Sequence, residues 1–168
     1  MKILTIFCLS TLLITGCATT DTKKPTAADQ VAGLQKMCSD AAGAIKARQE
    51  KKSLYKRLGE KEKIKTFITN LYGAHLANKD INHMFKNVER DSFIGHATDF
   101  FVVGTGGKGK YKGRDMSAAH KHLKISNADF LSAGGDVQNT MKSMNYGEHE
   151  IQEVVCSLVA FVPVVVVQ

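Results

Sequence analysis

The chain has 168 residues, room for one domain with an appendage and too few for two full α/β domains. Apolar residues make up 43% and charged residues 23%, a balance that buries a core and excludes a disordered chain. Two prolines and no tryptophan argue against a loop-rich sandwich, and the net charge of +7 comes without the aromatic–basic interleaving of an RNA-binding sheet, so no nucleic-acid partner is expected.

Lys2 followed by the short apolar run Ile3 to Ile14 has the pattern of a secretory signal. The run falls short of the roughly 20 residues a permanent membrane helix needs. It ends in Ile14-Thr15-Gly16-Cys17, which resembles the lipobox of bacterial lipoproteins. Residues 1–16 are therefore expected to be cleaved, leaving Cys17 as a lipidated first residue, and 17–26 to act as a small, polar tether. The expected location is an envelope membrane, with Ala18 in place of aspartate leaning towards the periplasmic face of an outer membrane. Cys38 and Cys156 are then the remaining cysteines once Cys8 leaves with the signal. An exported compartment permits a disulfide between them, and two free thiols are the equal alternative.

From Ala27 to Lys52, Val31, Leu34, Cys38, Ala41 and Ile45 recur three and four apart, the narrow stripe of an amphipathic helix that packs on the main domain or on a partner. The main domain occupies 53–168. Ile64, Phe67, Ile68, Leu71 and Tyr72 keep helical spacing, as do Phe93, His96, Ala97, Phe100 and Phe101, and then Phe130, Val137, Met141 and Met144. The last helix carries Ile151, Val154, Val155, Leu158 and Val162, with Pro163 expected to end it and Val164 to Val167 left as a frayed tail. No alternating run is long enough for a sheet, so the fold class is all-α.

Gly104-Thr105-Gly106-Gly107-Lys108-Gly109-Lys110-Tyr111 imitates two nucleotide motifs. Tyr111 stands where a P-loop needs a small hydroxyl for magnesium, and Gly113 interrupts the chain where either motif needs a helix to begin. The segment reads instead as a flexible linker between two helices.

Six histidines, His75, His83, His96, His120, His122 and His149, show no zinc-protease spacing. His120 follows the glycine linker on the short segment Met116 to Leu123, facing aromatic-rich helices. A haem needs such apolar walls and one neutral imidazole. His75, His83, His122 and His149 read as solvated helix positions. Lys110, Arg114, Lys121 and Lys124 read as an exposed basic face.

The motifs Ser53-Leu54-Tyr55-Lys56-Arg57-Leu58-Gly59, Asn70-Leu71-Tyr72, Met84-Phe85, Phe100-Phe101, Gly106-Gly107, Tyr111-Lys112-Gly113-Arg114-Asp115-Met116 and Ala119-His120 together resemble a group 1 truncated haemoglobin from Ser53 to about Val162. The missing tryptophan favours group one over groups two and three. The resemblance implies a two-over-two helical sandwich, here with an extra N-terminal helix, around haem b (iron protoporphyrin IX). It makes His120 the proximal iron ligand, its other ring nitrogen donating to a backbone carbonyl. It makes Phe85 the residue stacked on the porphyrin and Tyr72 the distal tyrosine, whose hydroxyl hydrogen-bonds bound dioxygen. Phe93, Ala97 and Phe101 complete the expected cofactor wall, and the first two cannot donate a hydrogen bond. His96 takes a place where some relatives carry a histidine that closes the sixth iron position.

The function so implied is reversible binding of dioxygen, nitric oxide or other small ligands, as carriage or as nitric oxide removal. Removal would require a separate reductase, because the chain has no flavin or nicotinamide domain. Two rivals follow from the departures at the distal face: a six-coordinate haem sensor, and a haem-less globin-like lipoprotein acting as an interaction module.

Overall fold

The computed structural model describes residues 23–167; the signal, Cys17 and the first part of the tether lie outside the described residues. Lys23 to Thr26 are exposed and non-helical. Thr26 then caps α1 (Ala27–Lys51) through a reciprocal box with Asp29, the amide of Asp29 donating to Thr26 Oγ1 and the amide of Thr26 to Asp29 Oδ2.

Seven further helices follow: α2 (Leu54–Arg57), α3 (Glu60–Ala77), α4 (Arg90–Gly104), α5 (Met116–His120), α6 (Asn127–Ser143), α7 (Glu148–Val159) and α8 (Val162–Val165). Short 3₁₀ turns span Asn82–Phe85 and Lys121–Leu123. α3 packs on α4 and α6 on α7, and the pairs meet through α3 and α6, which makes a two-over-two sandwich. The core between them comes from the helical stripes: Ile64, Phe67, Ile68 and Leu71 of α3, Ile94 and Val102 of α4, Val137 and Met141 of α6, Ile151, Val154 and Val159 of α7. Each such side chain contributes roughly 1.5–3 kcal/mol when taken from water to full burial. Tyr146, in the α6–α7 turn, donates from its hydroxyl to the Leu58 carbonyl at 2.9 Å, and burial pushes that phenol up to about 12.

α1 lies against α6 and α7 with Val31 buried and Leu34, Cys38, Ala41 and Ile45 half-buried. Two devices hold it there. Cys38 is disulfide-bonded to Cys156, the first of the two alternatives left by the sequence. Beside that bond, the fully buried Glu153 carboxylate accepts from Arg48 Nε, from Gln49 Nε2 and from Arg57 Nη2, while Arg57 Nη1 reaches Glu150. Burial raises the pKa of Glu153, but the donors from Arg48, Arg57 and Gln49 outweigh it and hold the carboxyl below its usual range.

The chain's end departs from expectation. α7 stops at Val159, and Pro163 lies in the first turn of α8 rather than ending the preceding helix. A proline is at home there, since a first-turn amide has no intrahelical partner to lose. Val166 then bridges to Ile125, with the Val167 amide donating to the Ile125 carbonyl at 2.8 Å, so this tail is fastened. α8 packs on α5, and the tail thereby braces the short segment that carries His120.

The glycine segment is likewise held. The Tyr55 amide donates to the Thr105 carbonyl at 2.8 Å and the Gly107 amide to the Val102 carbonyl at 2.7 Å. A Cβ built on Gly107 would come within 2.8 Å of both Tyr55 and the Val102 carbonyl, so only glycine allows this approach. The linker is tied to α2 at its start, which is why it does not open a phosphate-binding helix.

Candidate functional site

α4 sorts its aromatic residues by helical phase. Ile94, Thr98, Phe101 and Val102 turn into the core, whereas Phe93, Ala97 and Phe100 fall at i, i+4 and i+7 and stay half-buried on another face. Phe101, expected on the cofactor wall, is therefore a core residue, packed edge-on against Phe67 at 5.6 Å. Adjacent residues on one helix lie about 100° apart, so Phe101 turns into the core while Phe100 packs at its edge.

Phe93 joins an aromatic cluster. Tyr72 lies 5.3 Å from Phe93 and 6.4 Å from Phe85, and Phe85 meets Phe93 edge-on at 5.8 Å. Tyr72, Phe85 and Phe93 thus come together as expected positions, with Ala97 one turn further along α4. The Tyr72 hydroxyl does not stand free: it donates to the Val88 carbonyl at 3.2 Å. His96 is exposed on α4.

At the other end of the same face, Phe100 packs against Tyr111 at 5.5 Å and Phe161 at 5.6 Å. These two rings flank the α5 segment, Tyr111 in the loop before it and Phe161 just before α8, which packs on it. Asp115 caps α5 by accepting the Ala118 amide at 2.9 Å. His120, the last residue of α5, is half-buried, and its Nδ1 lies 2.8 Å from the Met116 carbonyl. A carbonyl only accepts, so Nδ1 carries a proton, and in the neutral ring Nε2 is the nitrogen with the lone pair that a metal requires. Among the described residues, no three His, Cys, Asp or Glu side chains gather as a metal site of their own. A metal here would rest on a single imidazole and a ligand supplied by its own cofactor.

The residues fit such a group. Phe85, Phe93, Ala97 and Phe100 are types that seek burial, yet they are only partly buried while the neighbouring face of α4 is closed. A flat apolar ring would complete their burial, and His120 offers a pre-oriented nitrogen of the kind such a ring's metal needs.

His75 contradicts the sequence reading of a solvated position. It is 6% exposed, stacked on Phe85 at 4.9 Å, with Nδ1 2.9 Å from Asp136 Oδ2 of α6. Asn78 Nδ2 donates to the same Asp136 oxygen at 2.9 Å, and Ser132 links onward to Asp80. Burial pushes the imidazole down, and the Asp136 carboxylate only partly holds it up. The signal was present: His75 continues the Ile68, Leu71, Tyr72 stripe by three and four. His83, His122 and His149 are exposed, as read.

Residues 53–165 match the family model described as bacterial-like globin. The chain is 30% identical to a group 1 truncated hemoglobin of Tetrahymena pyriformis over 101 residues, 60% of this chain and 84% of that protein. It is also 30% identical to the group 1 truncated hemoglobin GlbN of a Synechocystis strain over 106 residues, covering 61% and 86%. The crystal structure of the Tetrahymena pyriformis truncated hemoglobin in its Fe(III) form superposes with a TM-score of 0.67 at 26% identity, over 70% of this chain and 100% of that one.

Proposed function

The chain belongs to the bacterial-like globin family, and on that premise we propose that it holds haem b through His120 and uses it to bind small diatomic molecules reversibly. The observation that carries the reading is the His120 ring, tied at Nδ1 to Met116 so that Nε2 is left as an electron-pair donor. Phe85, Phe93, Ala97 and Phe100 would wall the porphyrin. When bound, the iron supplies the site at which dioxygen, nitric oxide or carbon monoxide is held. The aromatic wall excludes water from that site and offers little polarity of its own. Tyr72 brings a hydroxyl to the aromatic cluster, and serving a ligand means leaving the Val88 carbonyl.

Absorption spectra of the purified protein with added hemin, oxidised, reduced and under carbon monoxide, test the reading. An intense Soret band that shifts with carbon monoxide, and that is lost in His120→Gly and restored by imidazole, is expected. A colourless protein, or a pigment indifferent to His120→Gly, overturns it. The same spectra address His96: its exposure supports an open sixth position, which a five-coordinate ferrous spectrum would register.

Nitric oxide removal is the second reading of this site, favoured by the cationic surface around His120 where an electron donor could approach. Export and lipid anchoring through Cys17 belong to the same proposal. The Ile14 to Cys17 motif supports them, as does a disulfide that an oxidising compartment would maintain. Mass spectrometry of the envelope fraction, with Cys17→Ala as control, tests the anchor.

A further inference from the structure

Lysines run through the whole chain, but their excess over carboxylates does not. Residues 105–126 hold Lys108, Lys110, Lys112, Arg114, Lys121 and Lys124 against Asp115 alone, and so account for +5 of the chain's +7. All six cations are exposed, and none enters an ion pair among the described residues. Elsewhere Arg48 and Arg57 are paired with Glu150 and Glu153, and Lys61 with Asp99. Asp115 caps α5 through the Ala118 amide and forms no ion pair with any of the six, so its single charge offsets only one of them.

The segment is a shaped surface. Tyr111 is packed on Phe100 and its hydroxyl donates to the Arg114 carbonyl at 2.8 Å, which fixes the path of the backbone between the lysines. Arg114, Lys121 and His122 meet in one shallow, open cleft over Ala118. Like charges this close repel one another within a Debye length of about 8–10 Å, so a face without counter-charges is held at a cost that an acidic partner removes. Ala118 lies on α5 with His120, and Lys121 and His122 follow His120 directly in the chain, which places that partner beside the segment that would hold the iron.

We propose that this face docks an acidic one-electron carrier protein, a flavoprotein or an iron–sulfur protein, which returns ferric iron to the ferrous state. This rests on the haem reading above. The carrier loses one electron, the iron gains it, no bond is made or broken, and the oxidised carrier leaves. The cations steer the approach and orient it, so their effect is in the encounter and weakens with salt.

An acidic plant-type [2Fe–2S] ferredoxin serves as the probe. Its oxidised form is titrated calorimetrically into the protein, with and without hemin, at low and high salt, and its reduced form is mixed with the ferric protein in stopped flow. In the double variant Arg114→Glu, Lys121→Glu, binding at low salt is expected to weaken at least tenfold and reduction to slow at least tenfold. Reduction by neutral photoreduced lumiflavin should stay unchanged, as should the far-ultraviolet circular dichroism. Equal binding and equal rates in the variant overturn the proposal. So does faster loss of hemin to apomyoglobin with ferredoxin binding intact, which would assign the cations to the porphyrin. So does lost sedimentation with phosphatidylglycerol vesicles with ferredoxin binding intact, which would assign them to lipid. Should the protein take up no hemin, the haem reading fails by itself, and calorimetry on the haem-free chain still decides the docking.

Discussion

Tyr72 and His75, one turn apart on α3, both face the Phe85 ring, and each makes a measurable difference. The Tyr72 hydroxyl already has an acceptor in Val88, so a ligand gains only the exchange of one hydrogen bond for a stronger, charge-assisted one. Tyr72→Phe is therefore expected to speed dioxygen release by about tenfold or less, short of the roughly hundredfold a free donor could give; flash photolysis measures it. His75 acts through pH. Its folded-state pKa lies below that of the unfolded chain, so the unfolded state takes up a proton first as pH falls through about 6.5. The His75 contribution is complete above that value and declines below it until the folded pKa is reached. His75→Asn keeps a donor for Asp136 without titrating, and its urea midpoint should fall less between pH 7.5 and 5 than the parent's. Its stability at pH 7.5 should be lower by about 1–2 kcal/mol for the lost stacking.

Among the elements, α4 shows what spacing can and cannot tell. Phe93, Ala97, Phe100 and Phe101 all fit a helix, and the count alone does not say which flank meets the core. The phase became visible only once α3 was laid against Ile94, Thr98 and Phe101. His75 was legible by the same stripe rule, but its partner Asp136 lies 61 residues away and no local pattern announces it. The short segment from Met116 to Leu123 was legible as a separate piece after the glycines, and its cap by Asp115 and the Met116–His120 bond are both local contacts, while the role given to His120 came from the family resemblance. The glycine segment looked loose because its anchors, Tyr55 and Val102, belong to other elements. Gly107→Ala tests that anchoring. With Cβ driven to 2.8 Å from the Val102 carbonyl, a loss of about 1–3 kcal/mol is expected in chemical denaturation.

At the scale of the whole molecule, the all-α class followed from four apolar stripes and the two-over-two arrangement from the resemblance to truncated haemoglobins, whereas the attachment of α1 depended on pairs more than 100 residues apart. The Cys38–Cys156 link spans 118 residues, and by loop-closure entropy such a link is worth up to about 4–5 kcal/mol, with about 2–4 typical in practice. The double variant Cys38→Ser, Cys156→Ser should lose about that much in thermal unfolding, with the carbon monoxide spectrum unchanged, because the bond joins α1 to α7 while the proposed pocket is built on α3, α4 and α5. Material produced in a reducing bacterial cytosol would lack the bridge. Such a preparation would give faithful optical data while its calorimetric melting point came out too low, so oxidative refolding or secretion is the route to choose when thermal endurance is the quantity sought.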